Sequence, residues 1–191
     1  MATDTGHKLS GEECFQRFLA GDEDAFDELV ALYEAELSRY IYSIVNDYHE
    51  SKHLVMETFA SLAVGGSKFA KRSSLKTYIF TIGKNLALRY MKMRGREQHI
   101  PYEEAIETAM DAGDSPYDFF ERAENKQFLS EAMKGLKDDH RTILILLYFE
   151  DMSYVQAGCI MGKTEAQISS LAHRAKAALK KKLEKGGYTY N

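Results

Sequence analysis

Proline occurs at only two of 191 positions, Pro101 and Pro116, and both fall in one stretch, REQHIPYEEAIETAMDAGDSPYD. Proline removes a backbone donor and clashes with the preceding helical turn, so its absence elsewhere leaves both flanks free to form uninterrupted helices. In those flanks apolar residues recur at threes and fours, while alternating β-branched runs bounded by turn residues are missing. The pattern predicts an all-α chain of two small helical domains, residues 1–96 and 118–191, joined by an acidic linker over 97–117. With 45% apolar residues, 12 Tyr and 10 Phe, each domain has material for a packed core, and wholesale disorder is excluded. The longest apolar run, Ile143 to Phe149, is far short of the ~20 residues that span a bilayer, and the start MATDTGHKLS has no apolar signal core. No membrane insertion and a cytoplasmic location are expected. Cys14 and Cys159 lie far apart, outside any CxxC pattern, and read as structural thiols.

Local signals place the helices. Ser10 and Glu13 form a capping box ahead of Phe15, Phe18 and Leu19, and Gly21 ends that helix. A longer helix is expected from Asp24 to Asn46, then one around Ser51 to Val64 carrying Leu54, Val55, Phe59 and Leu62 on its apolar stripe. Ser74 can cap a helix from Leu75 to about Arg94. Beyond the linker a helix near Asp118 to Lys134 and another from Asp138 or Asp139 through ILILLYF are expected. Ser153 with Gln156 and Thr164 with Gln167 make two further capping boxes, with Gly162 and Lys163 between them. Two helices joined by a tight glycine turn, the second long and basic, define a helix-turn-helix.

The net charge of -4 hides a strong polarity along the chain. Residues 68–96 carry nine basic side chains (Lys68, Lys71, Arg72, Lys76, Lys84, Arg89, Lys92, Arg94, Arg96) and no acidic one, and 163–185 carry seven basic against two acidic. On a helix at 100° per residue, Leu75, Ile79, Ile82, Leu86, Tyr90 and Met93 share the stripe expected to face the core. Tyr78, Thr81, Asn85, Arg89, Lys92 and Arg96 share another. An aromatic face, a hydroxyl, an amide and cations in one row are what single-stranded nucleic acid requires, although a solvated basic face has the same composition. In the second basic segment, Glu165, Gln167, Ser169, Ser170, His173 and Arg174 point outward while Ile168, Ala172, Ala175 and Leu179 point inward. The outward residues can reach base edges in a major groove, with Lys176, Lys180, Lys181 and Lys182 holding phosphates; a capped hairpin with a lysine-rich end is the alternative.

Phosphate-loop, dinucleotide, zinc-protease and nucleophile-elbow motifs are all missing from the sequence. The six histidines show no metal-ligand spacing. No enzymatic activity, metal or cofactor is therefore expected.

Two stretches carry a resemblance. DEDAFDELVALYEAELSRYIYSIVNDYHESKHLVMETF with KFAKRSSLKTYIFTIGKNLALRYMKMR resembles region two of bacterial sigma factors of the extracytoplasmic-function group. LKDDHRTILILLYFEDMSYVQAGCIMGKTEAQISSLAHRAKAALKKKL resembles their region four. The resemblance implies a promoter-specificity subunit of RNA polymerase whose region two docks on core polymerase through Leu54, Val55, Glu57 and Phe59. It further implies that Lys68, Phe69, Lys71, Arg72 and Ser73 help capture a flipped minus-ten base. Tyr78, Thr81, Asn85, Arg89 and Lys92 would line the path of the separated strand. Thr164, Glu165, Gln167, Ser169, Ser170, His173, Arg174 and Lys176 would belong to the helix reading the minus-thirty-five element. The implied partners are core RNA polymerase, promoter DNA and an anti-sigma protein. Two other readings stay open here: a sigma-like decoy that sequesters an anti-sigma protein, and a plain helix-turn-helix DNA-binding regulator, which accounts for 163–185 but not for 68–96.

Overall fold

The computed structural model describes residues 10–66, 69–94 and 123–186, without the side chains of 123–128. The expected linker at 97–117, together with Lys68 and Arg96, lies outside the described residues. Among the described residues every regular element is helical. The first group comprises α1 (Gly11–Leu19), α2 (Asp24–Val45), α3 (Tyr48–Gly65) and α4 (Leu75–Arg94). The second comprises α5 (Ala123–Lys134), α6 (Asp138–Leu144), a π-helical turn (Ile145–Phe149), α7 (Tyr154–Met161) and α8 (Glu165–Lys185).

Caps fix most of these boundaries. The Ser10 hydroxyl accepts from the Glu13 amide at 3.2 Å, and the Glu13 carboxylate accepts from the Ser10 amide at 2.7 Å. Ser74 caps α4 by accepting from the Thr77 amide at 3.2 Å, and Glu12 of α1 takes a second free donor there, the Leu75 amide, at 3.0 Å. Helix α3 starts three residues earlier than the expected Ser51, because Asp47 accepts from the Glu50 amide at 3.2 Å and is the true cap. Ser51 instead is buried one turn inside, its hydroxyl donating to the Asp47 carbonyl.

In the first group α2 is the central helix, packed by α1, α3 and α4. Tyr40, Phe15, Phe59, Phe80, Leu29, Leu37, Ile41 and Leu62 are among its fully buried side chains. Burying each such side chain contributes about 1.5–3 kcal/mol of transfer free energy. Helix α4 lies close on α2 at Gly83, where a Cβ would sit 3.0 Å from the Leu37 Cδ1. The stripe expected to bury on α4 is correct for Leu75 and Ile79, partly so for Ile82, Leu86 and Tyr90, and wrong for Met93, which is 78% exposed. Phe80 and Ala87, outside that stripe, are buried instead. Helix α4 is covered from a second side, by α7 of the other group, and a stripe drawn for one buried face cannot anticipate that.

In the second group α5, α6 and α7 pack around α8, with Ile143, Leu146, Ile160, Ile168 and Ala175 fully buried. Both capping boxes form: Ser153 accepts from the Gln156 amide at 3.2 Å, and Thr164 from the Gln167 amide at 3.3 Å. Gly162 ends α7 in the left-handed region at φ 66°, a conformation that favours glycine, so the turn stays tight. At Gly158 an added Cβ would lie 2.7 Å from the Lys163 carbonyl oxygen, which is how closely the turn folds back on α7.

The apolar run expected to be one helix changes geometry midway. After Leu144 it continues as the π turn, in which the Glu150 amide donates five residues back to the Ile145 carbonyl at 3.1 Å. One residue beyond, Asp151 takes φ 49°, and the Met152 amide closes on the Leu146 carbonyl at 2.9 Å. The turn aims Glu150 away from solvent and toward the first group.

Glu150 sits in the seam between the two groups. Arg39 of α2 grips its carboxylate from Nε at 3.0 Å and Nη2 at 3.4 Å, and the Glu150 side chain has no exposure. Lys76 of α4 donates to the Glu150 carbonyl at 2.9 Å while pairing with Glu36 at 2.8 Å. Burial raises the Glu150 carboxyl to about 7; Arg39 and Lys76 oppose the shift and Glu36 adds to it. Elsewhere along the seam, Lys84 donates to the Ile160 carbonyl at the end of α7, Arg141 to the Ser43 carbonyl at 2.9 Å, and Gln156 to the Ser74 hydroxyl at 3.3 Å. Burial, and secondarily Lys163 across the seam, push the Lys84 ammonium below its ordinary value.

Candidate nucleic-acid interface

Helix α4 divides its basic residues between two sides. Lys76 and Lys84, with the buried Phe80 between them, face α7 and bond to it or to the segment before it. Tyr78, Thr81, Asn85, Arg89 and Lys92 lie roughly opposite by the helical period, on a side that the second group leaves uncovered. Asn85 and Lys92 are open to solvent. Thr81 is half-buried and its hydroxyl donates to the Thr77 carbonyl at 2.7 Å, which leaves the oxygen with acceptor capacity only. Arg89 is mostly exposed and paired to Glu57 of α3 at 2.7 Å.

The preceding loop brings an aromatic platform to the head of this row. Phe69 lies against Tyr78 with ring centroids 5.0 Å apart and planes tilted by 33°, and meets Phe15 edge-on at 6.0 Å. Tyr78 is thereby braced from behind, with part of its ring still accessible. Lys71 and Arg72 are exposed, Lys71 at φ 52°, while Ser73 is half-buried and donates to the Ser74 carbonyl. The structure thus brings Phe69, Lys71, Arg72 and Tyr78 together at one end of α4 and spreads Thr81, Asn85, Arg89 and Lys92 along it. Lys68 is outside the described residues.

On α8 the residues Thr164, Glu165, Gln167, Ser169, Ser170, His173, Arg174 and Lys176 are all exposed. Their availability differs. Thr164 and Gln167 are committed to the capping box, Gln167 Oε1 accepting from the Thr164 amide at 2.9 Å. Arg174 donates back to the Ser170 carbonyl at 3.3 Å, and Lys176 stands over the Tyr148 ring at 4.9 Å. Gln167, Ser170 and Arg174 line a shallow groove closed on its other side by Asp139 and Lys163, themselves paired at 3.4 Å. Leu171, between Ser170 and His173 on the same helix, is buried in the core of this group.

Three of the four residues assigned to polymerase docking are in the core. Leu54, Val55 and Phe59 are 3%, 1% and 2% exposed, and only Glu57 of that set reaches the surface. Their spacing of one, four and five is an inward-facing helical stripe, so none can touch a partner while the domain stays folded. The outer side of α3 carries His53, Met56, Glu57, Ala60 and Val64, with Met56 62% and Val64 89% exposed. Of these only Glu57 was in the predicted set; the exposed apolar Met56 and Val64, at the complementary phase of the same helix, were not.

Among the described residues no group of three or more His, Cys, Asp or Glu could hold a metal ion, and no helix is long and apolar enough to cross a membrane. Residues 29–97 match the family Sigma-70 region 2, and residues 128–179 match Sigma-70, region 4. The chain is 25% identical to RNA polymerase sigma factor YlaC of Bacillus subtilis, over 85% of this chain and 94% of that protein. It is 27% identical to the ECF sigma factor SigM of the same organism, over 84% of this chain and 96% of that protein. Among solved structures, the sigma factor RpoE in complex with the anti-sigma factor NepR from Bartonella quintana superposes with a TM-score of 0.64 at 24% identity, covering 83% of this chain and 96% of that one. CnrH in complex with the cytosolic domain of CnrY gives a TM-score of 0.65 at 18% identity, covering 90% and 95%. The chain belongs to the sigma-70 family, in its extracytoplasmic-function group, and its class is that of promoter-specific transcription initiation factors.

Proposed function

We propose that this sigma factor directs core RNA polymerase to its promoters in the cytoplasm by using α4 to hold the separated minus-ten strand and α8 to read the minus-thirty-five duplex. The observation that carries this reading is the sorting of α4: its basic residues that pack internally lie on one side, while on the other Asn85 and Lys92 stay open and Tyr78 is partly accessible. Stacking on an aromatic face contributes about 1–3 kcal/mol per base, and strand separation costs a few kcal/mol, so phosphate contacts and one or two stacked bases suffice to trap an opened strand without nucleotide hydrolysis. On α8, Ser169, Ser170, His173 and Arg174 are the base-edge candidates, since Thr164 and Gln167 are occupied in the cap. Core polymerase would dock on the outer side of α3, around Met56 and Val64. An anti-sigma protein is the third proposed partner, in keeping with the complexes formed by the RpoE and CnrH relatives.

Run-off transcription with purified core polymerase and fragments of the source genome tests the proposal. Promoter-specific transcripts are expected, and Asn85→Ala should reduce strand opening while leaving core binding intact. Core binding without any promoter-specific transcript would refute the initiation role and favour a decoy that sequesters an anti-sigma protein.

A further inference from the structure

The seam between the two groups is built from charge as well as apolar packing. Arg39, Lys76 and Lys84 of the first group all donate into the second, and the groups they grip are a buried carboxylate and two backbone carbonyls. The Ile160 carbonyl belongs to the last turn of α7, whose carbonyls have no helical partner, and a cation there also meets the negative end of the helix dipole. Glu150 reaches its position only because the π turn rotates it inward, next to Arg39, Lys76 and Glu36. A non-glycine left-handed residue, Asp151, follows immediately. A strained turn that delivers a fully buried carboxylate to an arginine 111 positions earlier in the chain is a built contact rather than a chance collision.

The closed arrangement is incompatible with reading a whole promoter. Helix α8 packs on α7, which packs on α4, and packed helices stand 8–10 Å apart, so the axes of α4 and α8 lie within about 20 Å. Allowing for helix lengths of about 30 Å, the two reading faces lie within about 40 Å of each other. Minus-ten and minus-thirty-five elements are roughly 25 base pairs apart, about 85 Å at 3.4 Å per pair.

We propose that Glu150, held by Arg39 and backed by Lys76 and Lys84, is an intramolecular latch that keeps the free chain closed and must release before both promoter elements can be engaged. The inference rests on the initiation role proposed above, but the latch itself is a property of the free chain. Closure lowers the apparent affinity for core polymerase by the fraction of molecules that are open. Removing Arg39 takes away the guanidinium that offsets part of the cost of burying Glu150, and because the carboxyl can then take up a proton, the equilibrium near neutral pH shifts toward the open form by roughly a few-fold.

The test is small-angle scattering on the full-length chain without polymerase, with helix content from circular dichroism as the folding control. Wild type should give a compact particle; Arg39→Ala and Lys84→Ala should enlarge the radius of gyration with helix content unchanged. The charge exchange Arg39→Glu with Glu150→Arg should restore compaction that Arg39→Glu alone abolishes, an outcome that loss of packing cannot mimic. In parallel, core polymerase should bind Arg39→Ala more tightly than wild type. Unchanged dimensions in all single variants, or an expanded wild type, would overturn the latch whatever run-off transcription reports. A failed run-off assay with intact compaction changes would instead overturn the initiation role alone.

Discussion

Replacing Leu54 by alanine and, separately, Met56 by aspartate distinguishes a core stripe from a docking face on the same helix. The Leu54 side chain is 3% exposed within a packed core, so truncation removes its transfer free energy and leaves a cavity. Leu→Ala changes at such sites cost 2–5 kcal/mol, and about 3 kcal/mol is expected here. For a helical unit of this size each kcal/mol lowers the melting temperature by about 4–8 °C, so a drop of about 12–24 °C should appear for the first group. Met56 is 62% exposed and buries little, so Met56→Asp should change stability by less than about 0.5 kcal/mol. If α3 presents Met56 to polymerase, a carboxylate placed there costs more than about 1 kcal/mol of binding, a fivefold or greater loss of affinity. Calorimetry and polymerase titration, run at a temperature where both variants are folded, separate the two effects. A Leu54→Ala protein that melts within 2 °C of wild type yet binds polymerase weakly would refute the burial-based assignment.

Three further outcomes follow from local geometry. The Tyr40 hydroxyl is buried without a hydrogen-bond partner among the described residues, so Tyr40→Phe should raise stability by about 1 kcal/mol in denaturant titration. Gly158→Ala pushes a Cβ against a backbone carbonyl, and an overpacking cost of about 1–3 kcal/mol, offset by up to about 1 kcal/mol of helix propensity, should lower the melting temperature of the second group. Glu150 titrates near 7 in the closed chain against an ordinary 4.5, because burial outweighs Arg39 and Lys76, with Glu36 adding to the rise. Closure therefore takes up a proton, is favoured below about pH 4.5 and weakens as pH rises to about 7. Arg39 offsets only part of the cost of burying the Glu150 charge, so scattering between about pH 5 and 8 should show expansion in wild type and none in Glu150→Gln.

Much of this architecture was legible because its determinants are local. Ser10 with Glu13, Ser153 with Gln156 and Thr164 with Gln167 each announce a helix within four residues, and all three boxes form as read. The helix expected around Ser51 to Val64 starts earlier, at Tyr48, because Asp47 supplies the cap and Ser51 lies buried one turn inside. The outward row on α4 was legible from its period, but the uses of its neighbours were not. Lys76 and Lys84 were legible only as two of the nine basic residues of 68–96, since their partners, Glu150 and Ile160, lie more than seventy residues away in sequence. On α3 the periodicity already marked Leu54, Val55 and Phe59 as an inward stripe, and physical phase outweighs the contact role that the family resemblance attached to them.

The π turn at 145–149 is a single surplus residue absorbed within an otherwise α-helical run. Deleting one residue from it would let an ordinary α-helix close across the gap, turning everything that follows by about 100° and drawing it back by about 1.5 Å. Glu150 would leave Arg39, yet no residue of α4 or α8 proposed to contact nucleic acid would have changed. Closure in this chain thus hangs on helical phase, so gain or loss of one codon could retune how readily the protein is held in reserve while its sequence preference is left untouched.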